Sequence, residues 1–182
     1  MGWGCTHTML ITKQYDRAQA VAYAQKWAFS RNPAFYDFSN LGGDCTSFIS
    51  QCVYAGSCEM NYTPTFGWYF ITPSDRSPSW SGVPYFYQFM TTNQEIGPFA
   101  EDAAPEAIEL GDVIQLGDGT GRFYHSLLVT GFSRDSFLVA AHTNDAFNRP
   151  LSSYSYRQIR FLHLLGVRYP EGNEQPCPSY LY

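Results

Sequence analysis

Helical and strand patterns occupy different parts of this chain, and their order restricts the fold more than any other feature. Before residue 57 the apolar residues recur at helical spacing, as at Ala20, Tyr23, Ala24 and Trp27. After residue 110 they form short apolar or β-branched runs separated by Gly, Asp and Ser. Segregated helices and strands are typical of α+β proteins, whereas the two alternate in α/β proteins. We therefore predict an α+β domain with N-terminal helices packed on a C-terminal sheet, and every strand after the helices.

Four strands are predicted in the C-terminal part of the chain. They are GDVIQLG (111–117), FYHSLLVTGF (123–132), SFLVAAHT (136–143) and RQIRFLHLLGVRY (157–169). The connections GDGTGR and SRDS are too short for the crossovers that parallel strands require. We expect a curved antiparallel sheet.

Two helices are predicted before the sheet. The first covers residues 15–29 and stops at an Asn-Pro pair, because the residue before proline is pushed out of the helical region. The second helical unit covers residues 40–56, with Asp44 as its N-cap and Cys45 in its first turn. Gly56 stands where a helix usually stops.

Residues 57–104 are rich in Pro, Ser, Thr, Gly, Tyr and Trp, with a short helix predicted at 83–91. Because disordered segments are poor in aromatic residues, we interpret this stretch as an ordered surface insertion that would serve as a substrate lid. The 182 residues fit one domain, 1–182, with its core at about 15–169.

Charge and hydropathy exclude some partners. The formal net charge of −5 argues against a nucleic-acid-binding protein, which needs a basic surface. No stretch approaches the about 18 consecutive apolar residues of a membrane span. The opening MGWGCTHTML lacks the pattern of a signal peptide, so we expect a cytoplasmic protein or a piece of a longer, secreted precursor.

The cysteine count is odd. The cysteines are Cys5, Cys45, Cys52, Cys58 and Cys177. At least one is therefore free or paired outside the chain, and Cys5 with Cys177, near opposite termini, is the candidate disulfide.

Cys45 is the candidate nucleophile. A helix N-terminus gathers unpaired N–H groups and partial positive charge, which favour a thiolate over a thiol. The two glycines before it leave room for a carbonyl substrate. Asp44 opposes this effect unless its carboxylate caps the helix. The alternative is a small buried cysteine on an apolar helix face.

His125 is the candidate general base. It begins a strand and shares a face with Leu127 and Val129, a face that we expect to lie against the helix. An imidazole there would take the thiol proton and return it to the leaving amine. The alternative is a hydrogen-bonded core histidine.

The third catalytic position has three candidates. His142 ends the next strand, so a hairpin would place it beside His125, where a ring hydrogen bond would orient the first imidazole. Asn144 and Asp145 follow closely and are alternatives. The noncatalytic interpretation of all three is a hydrogen-bonded turn.

No cofactor or metal is predicted. A zinc site would have to use Cys45, Cys52, His125 and His142. The cysteines among them lack the spacing of structural zinc motifs, and no phosphate-binding glycine loop occurs. The remaining histidines, His7 and His163, are predicted to be structural.

The motifs YDRAQAVAYAQKWAFSRNPAFY, GGDCTSFISQCVYAG, GDVIQL, HSLLVTG and AHTND occur in this order. Together they resemble the putative amidase domain family, which is related to the NlpC-type and CHAP cysteine hydrolases of the papain-like group. The resemblance covers about residues 15–169. It implies a papain-like fold with the nucleophile helix packed on an antiparallel sheet. It also implies Cys45 as nucleophile, His125 as base, His142 as third member, and an amide substrate, commonly a bacterial cell-wall peptide.

The aromatic-rich stretch 61–89 departs from the family pattern, and we expect it to set substrate preference. The candidate substrate-binding residues are Trp68 and Trp80 in this stretch and Asp44 beside the candidate nucleophile. Two other functions fit the sequence. One is an acyltransferase or transpeptidase that uses the same Cys-His pair, with an amine in place of water. The other is a noncatalytic module that stacks sugars or peptides on Tyr62, Trp68, Tyr69, Trp80 and Tyr85.

Overall fold

The structure, a computed structural model, describes residues 9–182. The α-helices are α1 (Arg17–Trp27), α2 (Cys45–Ser57), α3 (Pro78–Ser81) and α4 (Val83–Thr92). The strands are β1 (Leu10–Lys13), β2 (Phe70–Thr72), β3 (Asp75–Arg76), β4 (Gly97–Asp102), β5 (Val113–Gly117), β6 (Phe123–Phe132), β7 (Phe137–Ala141), β8 (Ala146–Pro150) and β9 (Gln158–Pro170).

The main sheet runs in the order β1-β9-β5-β6-β7-β8, with β4 also paired to β9. Its pairings are antiparallel, and β2 and β3 form a separate hairpin. The α+β class and the antiparallel sheet are confirmed. The predicted strands correspond to β5, β6, β7 and β9. Within residues 9–182, no helix combines the length and apolar character needed to cross a membrane.

The prediction that all strands follow the helices is wrong, because β1 precedes α1. This edge strand pairs with the end of β9, from Leu10 opposite Pro170 to Lys13 opposite Val167. Four residues are too few to show the alternation that identifies a strand in sequence. β8 escaped prediction for a similar reason, since its AFNRP sequence is short and ends in proline.

The first helix is shorter than predicted but buries the expected face. Its N-cap is Asp16, whose carboxylate accepts a hydrogen bond from the backbone N–H three residues on. Ala20, Tyr23 and Ala24 are buried, whereas Trp27 is half-buried at the helix end. α1 packs mainly against α2.

The second helix begins at Cys45, directly after the predicted N-cap residue Asp44. Gly42 and Gly43 have φ angles of +96° and +112°, which no right-handed helix accommodates, so the predicted approach to the helix is a turn at residues 39–42 followed by a bend at Asp44. Every residue of α2 is buried. A helix that is enclosed on all sides stands at the centre of its domain, and here it carries the candidate nucleophile at its first position.

Several aromatic side chains of residues 57–104 are part of the core, although the stretch also has exposed segments at 62–66 and 71–75. Trp68 and Trp80 are fully buried, with ring centroids 5.1 Å apart. Ser50 of α2 connects both to the helix: its hydroxyl accepts a hydrogen bond from Trp68 Nε1 and donates one to the Trp80 carbonyl. The high aromatic content therefore reflects packing against α2.

The sheet has an apolar core on each face. On one face, Phe48 and Ile49 of α2 pack in a cluster that includes Leu128. On the other face, Leu127 and Val129 belong to a second cluster with residues of β5 and β7. Alternation along β6 thus sends neighbouring side chains into different cores.

A disulfide joins Cys58, the C-cap of α2, to Cys177. Cys177 is therefore paired with Cys58 and not with the candidate partner Cys5, which lies outside the described residues. The C-terminal segment also contacts α1, where Gln19 Nε2 donates to the carbonyl of the buried Leu181. The bridge therefore holds the end of the chain onto the helical layer.

Replacing Cys58 and Cys177 together with serine should lower the free energy of unfolding by about 2–4 kcal/mol, because the bridge closes a long loop in the unfolded chain. The bridged residues are 119 apart in sequence. Urea denaturation of the double variant and of the oxidised and reduced wild type measures this effect. A wild-type midpoint that reductant does not change would contradict it.

Candidate active site

Cys45 lies at the start of α2 because of the loop before it. The left-handed backbone at Gly42 and Gly43 turns the chain into the helix. A Cβ at Gly42 would meet nothing within 4 Å, so conformation and not crowding requires glycine there. Cys45 is 9% exposed, and its Sγ lies 3.7 Å from the hydroxyl of Thr46.

Asp44 occupies the N-cap position but does not cap the helix with its side chain. Its carboxylate is buried and turned away from the first turn of α2. One oxygen accepts a hydrogen bond from the Phe38 N–H, and the other lies 2.6 Å from His142 Nδ1. Arg31 Nε is 3.6 Å from the second oxygen. The negative charge near Cys45 is thus compensated, and the first-turn amides stay without a side-chain acceptor from Asp44.

His142 is in the wrong place to orient His125. Its two ring nitrogens face oxygen atoms, Nδ1 facing the Asp44 carboxylate and Nε2 lying 2.9 Å from the Trp27 carbonyl. The ring stacks on Phe48, with centroids 3.7 Å apart, and is 1% exposed. The predicted hydrogen bond between the two histidines is therefore not formed, and His142 supports the start of α2 instead.

Strand register explains this outcome. Leu128 of β6 is opposite Ala140 of β7. Extending the register two residues aligns His142 with Ser126, so both face α2, whereas His125 points to the other face of the sheet. The prediction that the face of His125 packs on the helix is wrong.

His125 nevertheless reaches the same cavity as Cys45. This cavity of about 390 Å³ lies at one end of the sheet, beside the start of α2. Its lining residues are Gly42, Gly43, Cys45, Leu116, Tyr124, His125, Thr143, Asn144, Arg149, Ser153, Tyr154 and Ser155. In this structure no hydrogen bond joins the Cys45 and His125 side chains among the described residues. Such contacts often form only when substrate binds.

Burial, together with the smaller effect of the positive charge of Arg149, lowers the pKa of His125 to about 4. The imidazole is therefore neutral near pH 7. A neutral ring has one nitrogen with a free lone pair, which is able to accept a proton from a thiol. No hydrogen bond to His125 occurs within the described part of the chain, and its nearest aromatic contact is Tyr154, at 6.0 Å between centroids.

A buried polar network connects α2 to β6 next to the candidate pair. The hydroxyls of Thr46 and Ser126 are 3.0 Å apart, and Gln115 Nε2 donates to Ser126 Oγ at 3.1 Å. Arg160 in turn donates to Gln115 Oε1. Since Thr46 follows Cys45 and Ser126 follows His125, this network fixes the two candidate residues relative to each other.

The other predicted residues divide between the cavity and the core. Asn144 lines the cavity, whereas Asp145 forms an ion pair with Arg31 at 2.9 Å, outside it. Asp44, Trp68 and Trp80 are 0–1% exposed, so the structure contradicts their predicted contact with substrate. None of residues 57–104 lines the cavity, which also contradicts the predicted lid.

The four residues that a zinc site would need do not lie together. Cys52 is fully buried in the core, away from the cavity, and His142 faces Asp44. Residues 9–182 contain no group of three metal-ligating side chains. His163 forms a structural contact, 2.7 Å from an Asp112 oxygen. His7 lies outside the described range.

Sequence reasoning missed Tyr124, Arg149 and Tyr154 of the cavity. The last two stand in or after β8, a strand that itself escaped prediction. Alternation along β6 places Tyr124 apart from His125, so the sequence gives no reason to group them. Ser126 and Gln115 had a weak signal, since each is a polar residue within an otherwise apolar strand.

The fold and the cavity define an α+β protein in which a helix-borne thiol and a sheet-borne imidazole line one pocket at the end of an antiparallel sheet. The chain belongs to the family described as a putative amidase domain, which matches residues 14–165. The family description indicates hydrolysis of amide bonds.

One relative is the uncharacterized protein YhbB of Bacillus subtilis (strain 168). It is 38% identical over 138 residues, which cover 73% of this chain and 43% of that protein. The chain therefore spans less than half the length of this relative. No solved structure matches the chain significantly.

Proposed function

We propose that the protein is a cysteine-dependent amidase or peptidase in which Cys45 is the nucleophile and His125 the general base. The observation that carries this proposal is that both side chains line one cavity at the N-terminus of a buried helix. The neutral state of His125 fits the role, since only a neutral imidazole accepts a proton.

The reaction proceeds through a thioester. His125 takes the proton of the Cys45 thiol as sulfur attacks the carbonyl carbon of the amide. The first-turn N–H groups of α2 are available to stabilise the oxyanion, because the Asp44 side chain does not occupy them. His125 then protonates the departing amine. Water, deprotonated by His125, hydrolyses the thioester and regenerates the thiol.

We assign the orienting role to Asn144. Of the three sequence candidates it is the one that lines the cavity with His125. His142 and Asp145 make their polar contacts with Asp44 and Arg31 instead. This makes His142 a positioning residue for the loop and helix that present Cys45.

The proposed substrate class is the peptides of the bacterial cell wall. Its support is the resemblance to the NlpC-type and CHAP hydrolases of the papain-like group, together with family membership. An acyltransferase is less well supported than a hydrolase, because it needs a cover that excludes water from the site. The stretch 57–104, which the sequence suggests as that cover, does not line the cavity. A noncatalytic module that stacks sugars or peptides on aromatic rings is also less well supported, since two of the proposed rings, Trp68 and Trp80, are buried.

Digestion of purified cell-wall fragments and peptide libraries, followed by mass spectrometry, tests the function. We expect wild type to release products with a new carboxylate and a new amine, and Cys45→Ala to release none. Adding a primary amine distinguishes hydrolysis from transfer, because transfer would give products that carry the amine. Identical products from both proteins would reject the proposal.

The pH profile provides a separate prediction. If neutral His125 is the base, kcat/KM should stay high from neutral pH downward and fall to half near pH 4, because burial and Arg149 lower the pKa of His125 to about 4. A half-maximal point near the ordinary pKa of 6.5 would contradict this assignment.

Stability must be followed in the same experiment. His125 binds its proton less readily in the folded chain than in the unfolded chain, so its protonation opposes folding. Stability present above about pH 6.5 is then progressively lost as the pH falls toward about 4. Circular dichroism at each pH distinguishes unfolding from loss of the base.

A further inference from the structure

The cavity around Cys45 contains an arginine and no carboxylate. Arg149 is the permanent cation among its lining residues, and the other polar members are hydroxyl, amide or imidazole groups. The chain has 16 acidic and 11 basic residues, so acidic partners are plentiful elsewhere. Among the lysines and arginines of residues 9–182, Lys13, Arg17 and Arg31 form ion pairs, and Arg149 is one of those without a carboxylate partner.

The guanidinium of Arg149 is held in place without being neutralised. It lies over the Tyr154 ring, 4.2 Å from the centroid. Its Nε donates to the Ser153 hydroxyl at 2.8 Å, and one Nη donates to the Ser153 carbonyl at 3.3 Å. The other Nη has no acceptor in the described part of the chain. A fixed guanidinium with free donors binds a carboxylate with little further loss of conformational freedom.

Two neighbouring groups strengthen this interpretation. Burial raises the pKa of Tyr154, although the neighbouring Arg149 guanidinium opposes this, so the hydroxyl stays protonated at neutral pH. It makes no hydrogen bond of normal geometry among the described residues. His125 lies close enough to Arg149 for the guanidinium charge to lower its pKa. The cationic group is therefore beside the reacting residues.

We propose that Arg149 binds a carboxylate of the substrate, so that the preferred substrate is an amide with a free carboxylate on a residue next to the scissile bond. This inference rests on the proposed function, because it takes the Cys45 cavity as the reaction site. It predicts selection against carboxamide and cationic groups at the same position, since these leave the guanidinium unpaired or repelled.

Two peptide libraries that differ only in glutamate or glutamine at a fixed position test this preference. We expect wild type to cleave the glutamate library faster, and Arg149→Gln to lower the ratio of kcat/KM for glutamate over glutamine by about 10–100-fold. The ratio is the readout because removing Arg149 also changes the electrostatic environment of His125 for both libraries. Arg149→Lys should keep part of the preference, because it keeps the charge but loses the planar fork. The matched control is Arg157→Gln, which removes an exposed arginine outside the cavity.

A readout without turnover distinguishes this inference from the proposed function. Calorimetry measures how the inactive Cys45→Ala variant, with and without Arg149→Gln, binds an intact glutamate peptide from the library. The matching glutamine peptide is measured in the same way. Equal Cys45-dependent cleavage of both libraries would overturn the carboxylate inference and leave the function standing. Arg149-dependent binding of the glutamate peptide without Cys45-dependent cleavage would overturn the function and leave the anion site standing.

Salt provides a check that needs no variant. Because the proposed contact is between charges, the preference of wild type for glutamate over glutamine should shrink as ionic strength rises. A preference that salt leaves unchanged would count against an ionic contact.

Discussion

Replacing Cys45 with alanine is expected to reduce turnover by at least about 10⁴-fold, because the variant has no atom that attacks the amide carbonyl. The fold should remain intact. The side chain removed is small and borders a cavity, so its loss leaves little new empty space in the core. Mass spectrometry of digests measures turnover, and circular dichroism with urea denaturation measures folding.

Cys52 provides a matched control on the same helix. It is the other free cysteine among the described residues, and it is fully buried in the core. Burial raises the pKa of its thiol well above the ordinary value, so it is protonated and unreactive at neutral pH. Cys52→Ala should therefore retain activity at some cost in stability. Loss of activity in Cys52→Ala with full activity in Cys45→Ala would invert the proposal.

The two central histidines should give opposite results when each is replaced. His125→Ala removes the proposed base and should lower kcat by about 10²–10⁴-fold. His142→Ala leaves the buried Asp44 carboxylate without one of its partners, and breaking such a pair costs about 3–5 kcal/mol of folding free energy. Turnover per folded molecule in that variant should change much less than in His125→Ala.

Activity must be normalised to the folded fraction for this comparison. Asp44→Asn is a useful second variant, since it removes the charge but keeps an oxygen that accepts from the Phe38 N–H, while its amide NH2 group faces the His142 ring as a donor. It should lose less stability than His142→Ala. If His142→Ala is stable and inactive, the orienting role belongs to His142 after all and Asn144 loses it.

Much of the fold is readable in the sequence because its signals are local. Apolar residues three and four apart predict α1, and glycines followed by an apolar helix face predict the start of α2 near Cys45. Alternation and short turns predict β5, β6, β7 and β9 as an antiparallel sheet. Short edge strands such as β1 and β8 have too few residues to carry a period, so only pairing with a neighbour defines them.

By itself, then, the sequence determined the α+β class, the helix that carries Cys45, and the strand that carries His125. Only the tertiary structure decided how their neighbours are used. Register between β6 and β7 turned His142 toward Asp44 and away from His125, and packing on α2 buried the tryptophans that had been expected to meet substrate. The fold also places Cys45 and Arg149, which are far apart in sequence, in the lining of the same cavity. Such contacts depend on which strands pair and on how side chains pack in the core, and a local sequence pattern does not predict either.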